Sequence, residues 1–141
     1  MLVGRLVTLI EEHAEELTAR VVAQLREDPR TPDYRRFDDD ELTARAHDVY
    51  AHLGRWLEAS SESTVEDQYY RLGVTRRREE VPLSQVVAAL LLTRRNLWTF
   101  VESQGVDSIL ELRQQLDLEL LVVRFFDRAI YHTVRGYESR A

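Results

Sequence analysis

The chain has no cysteine, one methionine, three prolines and five glycines in 141 residues. Without thiols, cysteine-nucleophile catalysis, a disulfide framework and cysteine-ligated zinc or iron–sulfur centres are excluded. So few breakers leave long intervals over which a helix can run. The longest uncharged run, Val81 to Thr93, is 13 residues, short of the roughly 18 needed to span a bilayer. The opening MLVGRLVTLIEEH is interrupted by Arg5 and ended by Glu11 and Glu12, which makes it the start of an amphipathic helix and not a secretory leader. A soluble, cytoplasmic protein without membrane insertion is expected.

Also missing are a phosphate-cradling glycine loop, a dinucleotide fingerprint and an excess of basic charge. Nineteen Lys and Arg stand against 25 Asp and Glu, for a net charge of −6. Arg76, Arg77 and Arg78 form the one compact basic run, and Glu79 and Glu80 neutralise it at once. No phosphate-tracking surface, and so no nucleic-acid partner, is expected.

What the chain does have is VVAALLLTRRNLWTFV, Val86 to Val101, bracketed by Pro82 and Ser84 before it and Gly105 after it. A helix apolar around most of its circumference must be covered on most sides. This stretch is therefore the predicted central element of an all-α, five-helix bundle forming one domain over residues 1–141, with a globin-like arrangement as one form of it.

Helix one is predicted over Leu2 to Arg26, with Leu6, Ile10, His13, Leu17, Val21 and Leu25 inward, and Asp28-Pro29 stops it. Tyr34 and Phe37 tack the following loop onto the bundle. Asp38 to Asp40 cap helix two, which runs to about Ser60, with Gly54 inside it. Ser63 with Glu66 reads as a capping box for helix three, Thr64 to Glu79, which is less apolar than its neighbours and expected at the periphery. Helix four starts between Glu80 and Ser84 and ends at Gly105. Helix five, capped by Asp107 or Ser108, runs from Ile109 to about Tyr137, about 45 Å if unbroken. Its stripe Leu112, Leu116, Leu120, Val123, Ile130 and Val134 is widened by Leu118, Leu121, Val122, Phe125 and Phe126. That is more apolar surface than one helical neighbour covers, and a second subunit is a candidate cover.

Chemistry-bearing constellations are few. No Glu-x-x-His pair exists for a di-metal bundle, and Asp48 with His52 lacks further ligands, so no metal is expected. Haem is the cofactor alternative, with His132 as candidate ligand and His47 or His52 behind it, although the expectation is that no cofactor is held. Serines at helix ends serve as caps and not as nucleophiles, so no catalytic residues are assigned and no enzyme is expected. Arg94 and Arg95 interrupt the central helix, and Asp127 stands between apolar residues of helix five; an interhelical Arg–Asp pair is expected. Tyr69, Tyr70, Trp98, Phe100, Phe125, Phe126, Tyr131 and Tyr137 are candidates to line a small apolar ligand cavity between helices four and five.

Two stretches, LGVTRRREEVPLSQVVAALLLTRRNLWTFV (Leu72 to Val101) and FFDRAIYHTVRGYE (Phe125 to Glu138), resemble the N-terminal sensory domain of the RsbT co-antagonist proteins, also found ahead of some bacterial histidine kinases. The likeness covers nearly the whole chain by helix layout and these stretches by motif. It implies a dimerising input domain of bacterial stress signalling that acts on a fused output module or a separate partner protein. By the same likeness Arg76, Arg77, Pro82, Leu83, Arg94, Trp98, Phe126, Asp127 and Tyr137 hold structural or signal-relay positions. A constitutive structural bundle is the remaining alternative.

Overall fold

The computed structural model describes residues 4–139 and, among them, seven α-helices and no strand. They are α1 (Gly4–Glu12), α2 (Ala14–Glu27), α3 (Asp39–Ala51), α4 (Leu53–Trp56), α5 (Glu62–Arg78), α6 (Leu83–Ser103) and α7 (Ile109–Glu138), with short 3-10 turns at Pro32–Arg36 and Ala59–Ser61. No helix among the described residues is long and apolar enough to cross a membrane. Leu2, assigned to helix one, lies outside the described residues.

The five expected rods become seven because two of them break at histidines. At His13 the ring Nδ1 lies 2.8 Å from the Leu9 carbonyl that its own amide would take in an α-helix. The amide bonds Ile10 instead, at 3.0 Å, so the chain tightens for one turn and restarts as α2. At His52 the break frees the Gly54 amide, which donates to Glu11 Oε2 at 3.0 Å, while the Trp56 indole takes the Asp48 carbonyl. Gly54 faces Val7 of α1 so closely that a Cβ would lie 3.3 Å from its methyl. A close crossing with α1 is thus the reason for that glycine.

Helix α6 is the central element, as its composition predicts. Val86, Ala89, Leu90, Leu92, Leu97, Phe100 and Val101 are buried, and it packs on α1, α2, α5 and α7. Asn96 is its most deeply buried polar residue: its Nδ2 donates to the Leu17 carbonyl at 2.9 Å and to the Tyr50 hydroxyl at 3.1 Å, joining α6 to α2 and α3. The Asp38 and Ser108 caps form, accepting from Glu41 and Glu111 amides at 2.9 and 3.1 Å. The Ser63–Glu66 box does not, because α5 starts earlier, at Glu62; Glu66 turns to Arg135 at 3.6 Å.

Helix α7 departs furthest from expectation. Its buried positions are Leu118, Val122, Phe125, Phe126, Ala129, Thr133 and Gly136, which lie on the face assigned as mere widening. The first stripe is exposed at Leu112, Leu116, Leu120 and Val123. Its main neighbour is α5, not α6.

Candidate functional site

Of the family-like residues, Arg76, Arg77, Pro82, Leu83 and Tyr137 meet where α5 ends, α6 begins and α7 ends, whereas Arg94 and Trp98 lie farther along α6 and Phe126 and Asp127 within α7. Two glycines set that geometry. A Cβ on Gly73 would overlap the Thr133 carbonyl oxygen and come 2.6 Å from the Tyr137 nitrogen; a Cβ on Gly136 would overlap the Tyr70 carbonyl oxygen and lie 2.8 Å from its carbon. The α5 and α7 backbones therefore touch directly, which no other residue permits at either position. Contacts advance in the same direction on both helices, from Glu62–Arg128 at 3.5 Å through Gly73–Thr133 to Arg77, whose Nη1 donates to the carbonyls of Tyr137 and Ser139 at 2.8 and 3.1 Å. Arg77 thus supplies a cation and two donors to the end of α7, where carbonyls lack partners. The Tyr137 hydroxyl closes the corner by donating to the Val81 carbonyl at 2.7 Å.

Helix α5 ends in a Schellman turn. Val81 and Glu80 amides bond the Arg76 and Arg77 carbonyls at 3.1 and 3.0 Å, and Glu80 takes the left-handed position with φ +61°. A glutamate there is strained where glycine would not be. Val81, fully buried, supplies the apolar contact of the turn, and Pro82 stands at the N-cap of α6.

Among the described residues, Arg76 is the charged side chain that is buried, 2% exposed. Its Nη1 donates to Glu41 at 2.8 Å and Glu79 at 2.9 Å, and the guanidinium carbon lies 5.3 Å from the Tyr34 ring centre and 4.6 Å from that of Phe37. Burial works against its charge, but Tyr34 and the two carboxylates outweigh that and hold its pKa above the usual value. Arg36 fastens the same loop by donating to the Glu79 carbonyl. The aromatics expected only to tack down a loop are the lid over a buried cation.

The expected Arg–Asp pair is absent among the described residues. Asp127 and Arg95 are exposed and Arg94 is half-buried, because on α7 the buried positions 122, 125, 126, 129 and 133 place 127 on the outer side of the helix. The buried ion pair is the one at Arg76. Sequence distance hides Glu41, Tyr34 and Phe37 as its partners; Glu79, three residues on, is the legible signal.

The aromatic set also divides. Tyr69, Phe125 and Phe126 pack ring on ring with one another and with Trp56, a residue outside that set, centroids 4.9–6.0 Å apart, whereas Trp98 rests half-buried against the core and Tyr131 is exposed. The apolar cavity lies not between α6 and α7 but among α2, α3, α5 and α6, with Phe126 as its one wall from α7. Its volume is about 50 Å³, too small for a macrocycle, since pockets for drug-sized ligands run from about 300 Å³. His132 is not in its wall. That ring is partly exposed, with Nδ1 3.1 Å from Arg135 Nη1 and Tyr131 edge-on to it. Among the described residues no group of three or more His, Asp or Glu could hold a metal.

Comparison with curated proteins and with solved structures gives no significant match. A family model does match: that of the RsbT co-antagonist protein rsbRD N-terminal domain, over residues 15–141. Within that span lie the arginine-rich end of α5, the Pro82 entry to α6 and the aromatic, glycine-bearing end of α7. The chain belongs to the RsbT co-antagonist rsbRD N-terminal domain family.

Proposed function

We propose that the chain is a non-enzymatic signalling input domain that pairs with a second copy through the outer face of α7 and passes its state to an output module or partner protein. One observation carries this. Ile109 (87% exposed), Leu112, Leu116, Leu120 (66%) and Val123 stand bare in a row along the first half of α7. A contiguous apolar row about 21 Å long, left in water, is the kind of surface that marks an interaction site.

The row is symmetric about Leu116. Ile109 and Val123 stand seven residues to either side, Leu112 and Leu120 four, and Arg113 and Glu119 three. Two copies crossing antiparallel at Leu116 thus set apolar on apolar and Arg113 opposite Glu119. Self-complementarity of this kind suits a two-fold interface. The other half of α7, locked to α5 at the Gly73–Gly136 crossing, is the rigid arm through which a change at the interface would reach a partner.

Sedimentation across a concentration series tests the pairing. A reversible dimer is expected, and Leu116→Glu with Leu120→Glu should make it a monomer with an unchanged far-UV spectrum. Oxidation of Leu116→Cys, the sole thiol in that chain, should cross-link two copies, whereas Ile109→Cys should not. A wild-type chain monomeric at every concentration would overturn the proposal; efficient cross-linking at both positions would replace the antiparallel register with a parallel one.

A further inference from the structure

The small cavity beneath the loop of Tyr34 has an apolar floor that includes Leu25, Val49, Leu90 and Phe126, and two charged walls, Arg45 and Arg76. The two arginines are in different states. Arg76 is 2% exposed and gives Nη1 to two carboxylates, yet its buried Nε has no acceptor. Arg45 reaches the cavity from the surface of α3, and among the described residues the ion pairs of this corner go to Arg76 and none to Arg45. Burial lowers the pKa of Arg45, and the like charge of Arg76 lowers it further.

Arg45 and Arg76 place two like charges at one apolar cavity, and an anion that enters it offsets their repulsion. The volume says what sort of anion. One water needs about 10–15 Å³ of such space, so about 50 Å³ takes a stub of a few carbons and no ring. The floor rejects an ion without an apolar part, because inorganic phosphate would leave that surface uncovered while losing its own hydration.

We propose that this cavity binds a short-chain carboxylate, of acetate to butyrate size, with the alkyl end on the Leu25–Phe126 floor and the carboxylate on the Arg45 guanidinium, beside the charge of Arg76. Guanidinium N–H groups match a carboxylate in geometry as well as charge. The cavity adjoins the corner that fixes the end of α7, so occupancy braces Arg76 and with it the α5 terminus. The binding is read independently of assembly: a chain that failed to dimerise would still be expected to take the ligand.

Isothermal titration of the full chain with sodium acetate, propionate and butyrate tests it, with sodium chloride and inorganic phosphate at matched ionic strength and 1-butanol as the uncharged counterpart. Saturable one-to-one binding is expected for the carboxylates alone. Arg45→Gln should weaken it at least about tenfold with no change in melting temperature, and Arg45→Lys should restore part of it. Ala89→Leu, which fills the cavity from α6, should abolish binding with both arginines in place. No saturable heat with any carboxylate, butanol bound as well as butyrate, or undiminished binding by Arg45→Gln would each overturn the proposal.

Discussion

The two halves of α7 are one helix by geometry and two by environment. From Phe125 to Gly136 its inner face is buried, its backbone touches α5, and Arg77 and Tyr137 pin its end. From Ile109 to Val123 it offers apolar side chains to solvent on one face while Leu118 and Val122 hold the other. Overall apolar content does not separate the halves; glycine does. Where Gly73 and Gly136 allow backbone contact, α7 has a partner within the chain. Where no such partner reaches, the same kind of sequence leaves an apolar surface in water, the face on which a second copy is proposed to pack.

The largest expected effect comes from removing the close approach. Gly136→Ala would drive a methyl into the Tyr70 backbone, a clash no rotamer relieves, and should cost more than about 3 kcal/mol. Gly4→Ala is the control, having nothing within 4 Å of the added carbon; urea unfolding measures both. A smaller cost for Gly136→Ala than for an ordinary core truncation would mean the locked half is not locked at that crossing.

Next is the buried cation. Arg76→Met keeps much of the volume but strips Glu41 and Glu79 of their partner and Tyr34 and Phe37 of the charge beneath them. Both carboxylates keep contact with water, at 38% and 30% exposure, so the expected loss is about 2–3 kcal/mol and not the full cost of an orphaned buried charge. Thermal unfolding and tryptophan fluorescence follow it. An unchanged stability would show that the guanidinium contributes packing alone.

The smallest effect has the opposite sign. Glu80→Gly relieves the left-handed glutamate in the Schellman turn and should stabilise the fold by about 1 kcal/mol. Chemical denaturation resolves a change of that size. Destabilisation would mean that the Glu80 side chain holds the corner in a way its backbone strain conceals.

Much of this architecture is legible in residue order. The central helix follows from Val86–Val101, the cap at Asp38 from its aspartates, and the length of α7 from the absence of breakers. Periodicity also finds both apolar faces of α7, but it does not say which one the rest of the chain covers, because the answer depends on where α5 comes to lie. That placement rests on Gly73 and Gly136. Glycine inside a helix is conspicuous when a chain has only five, yet without the partner helix its purpose is unreadable. Likewise Arg76 stands out in sequence as one of three adjacent arginines, and only the fold distinguishes the buried one from Arg77, which holds the end of α7, and from the exposed Arg78.

Amide hydrogen exchange along α7, measured in dilute and concentrated solutions, tests the division of the helix most directly. Amides from Phe125 to Gly136 should exchange slowly at both concentrations, while those from Ile109 to Val123 should exchange fast in dilute solution and slow markedly on concentration. Equal protection of both halves in the dilute chain, or a first half indifferent to concentration, would contradict it.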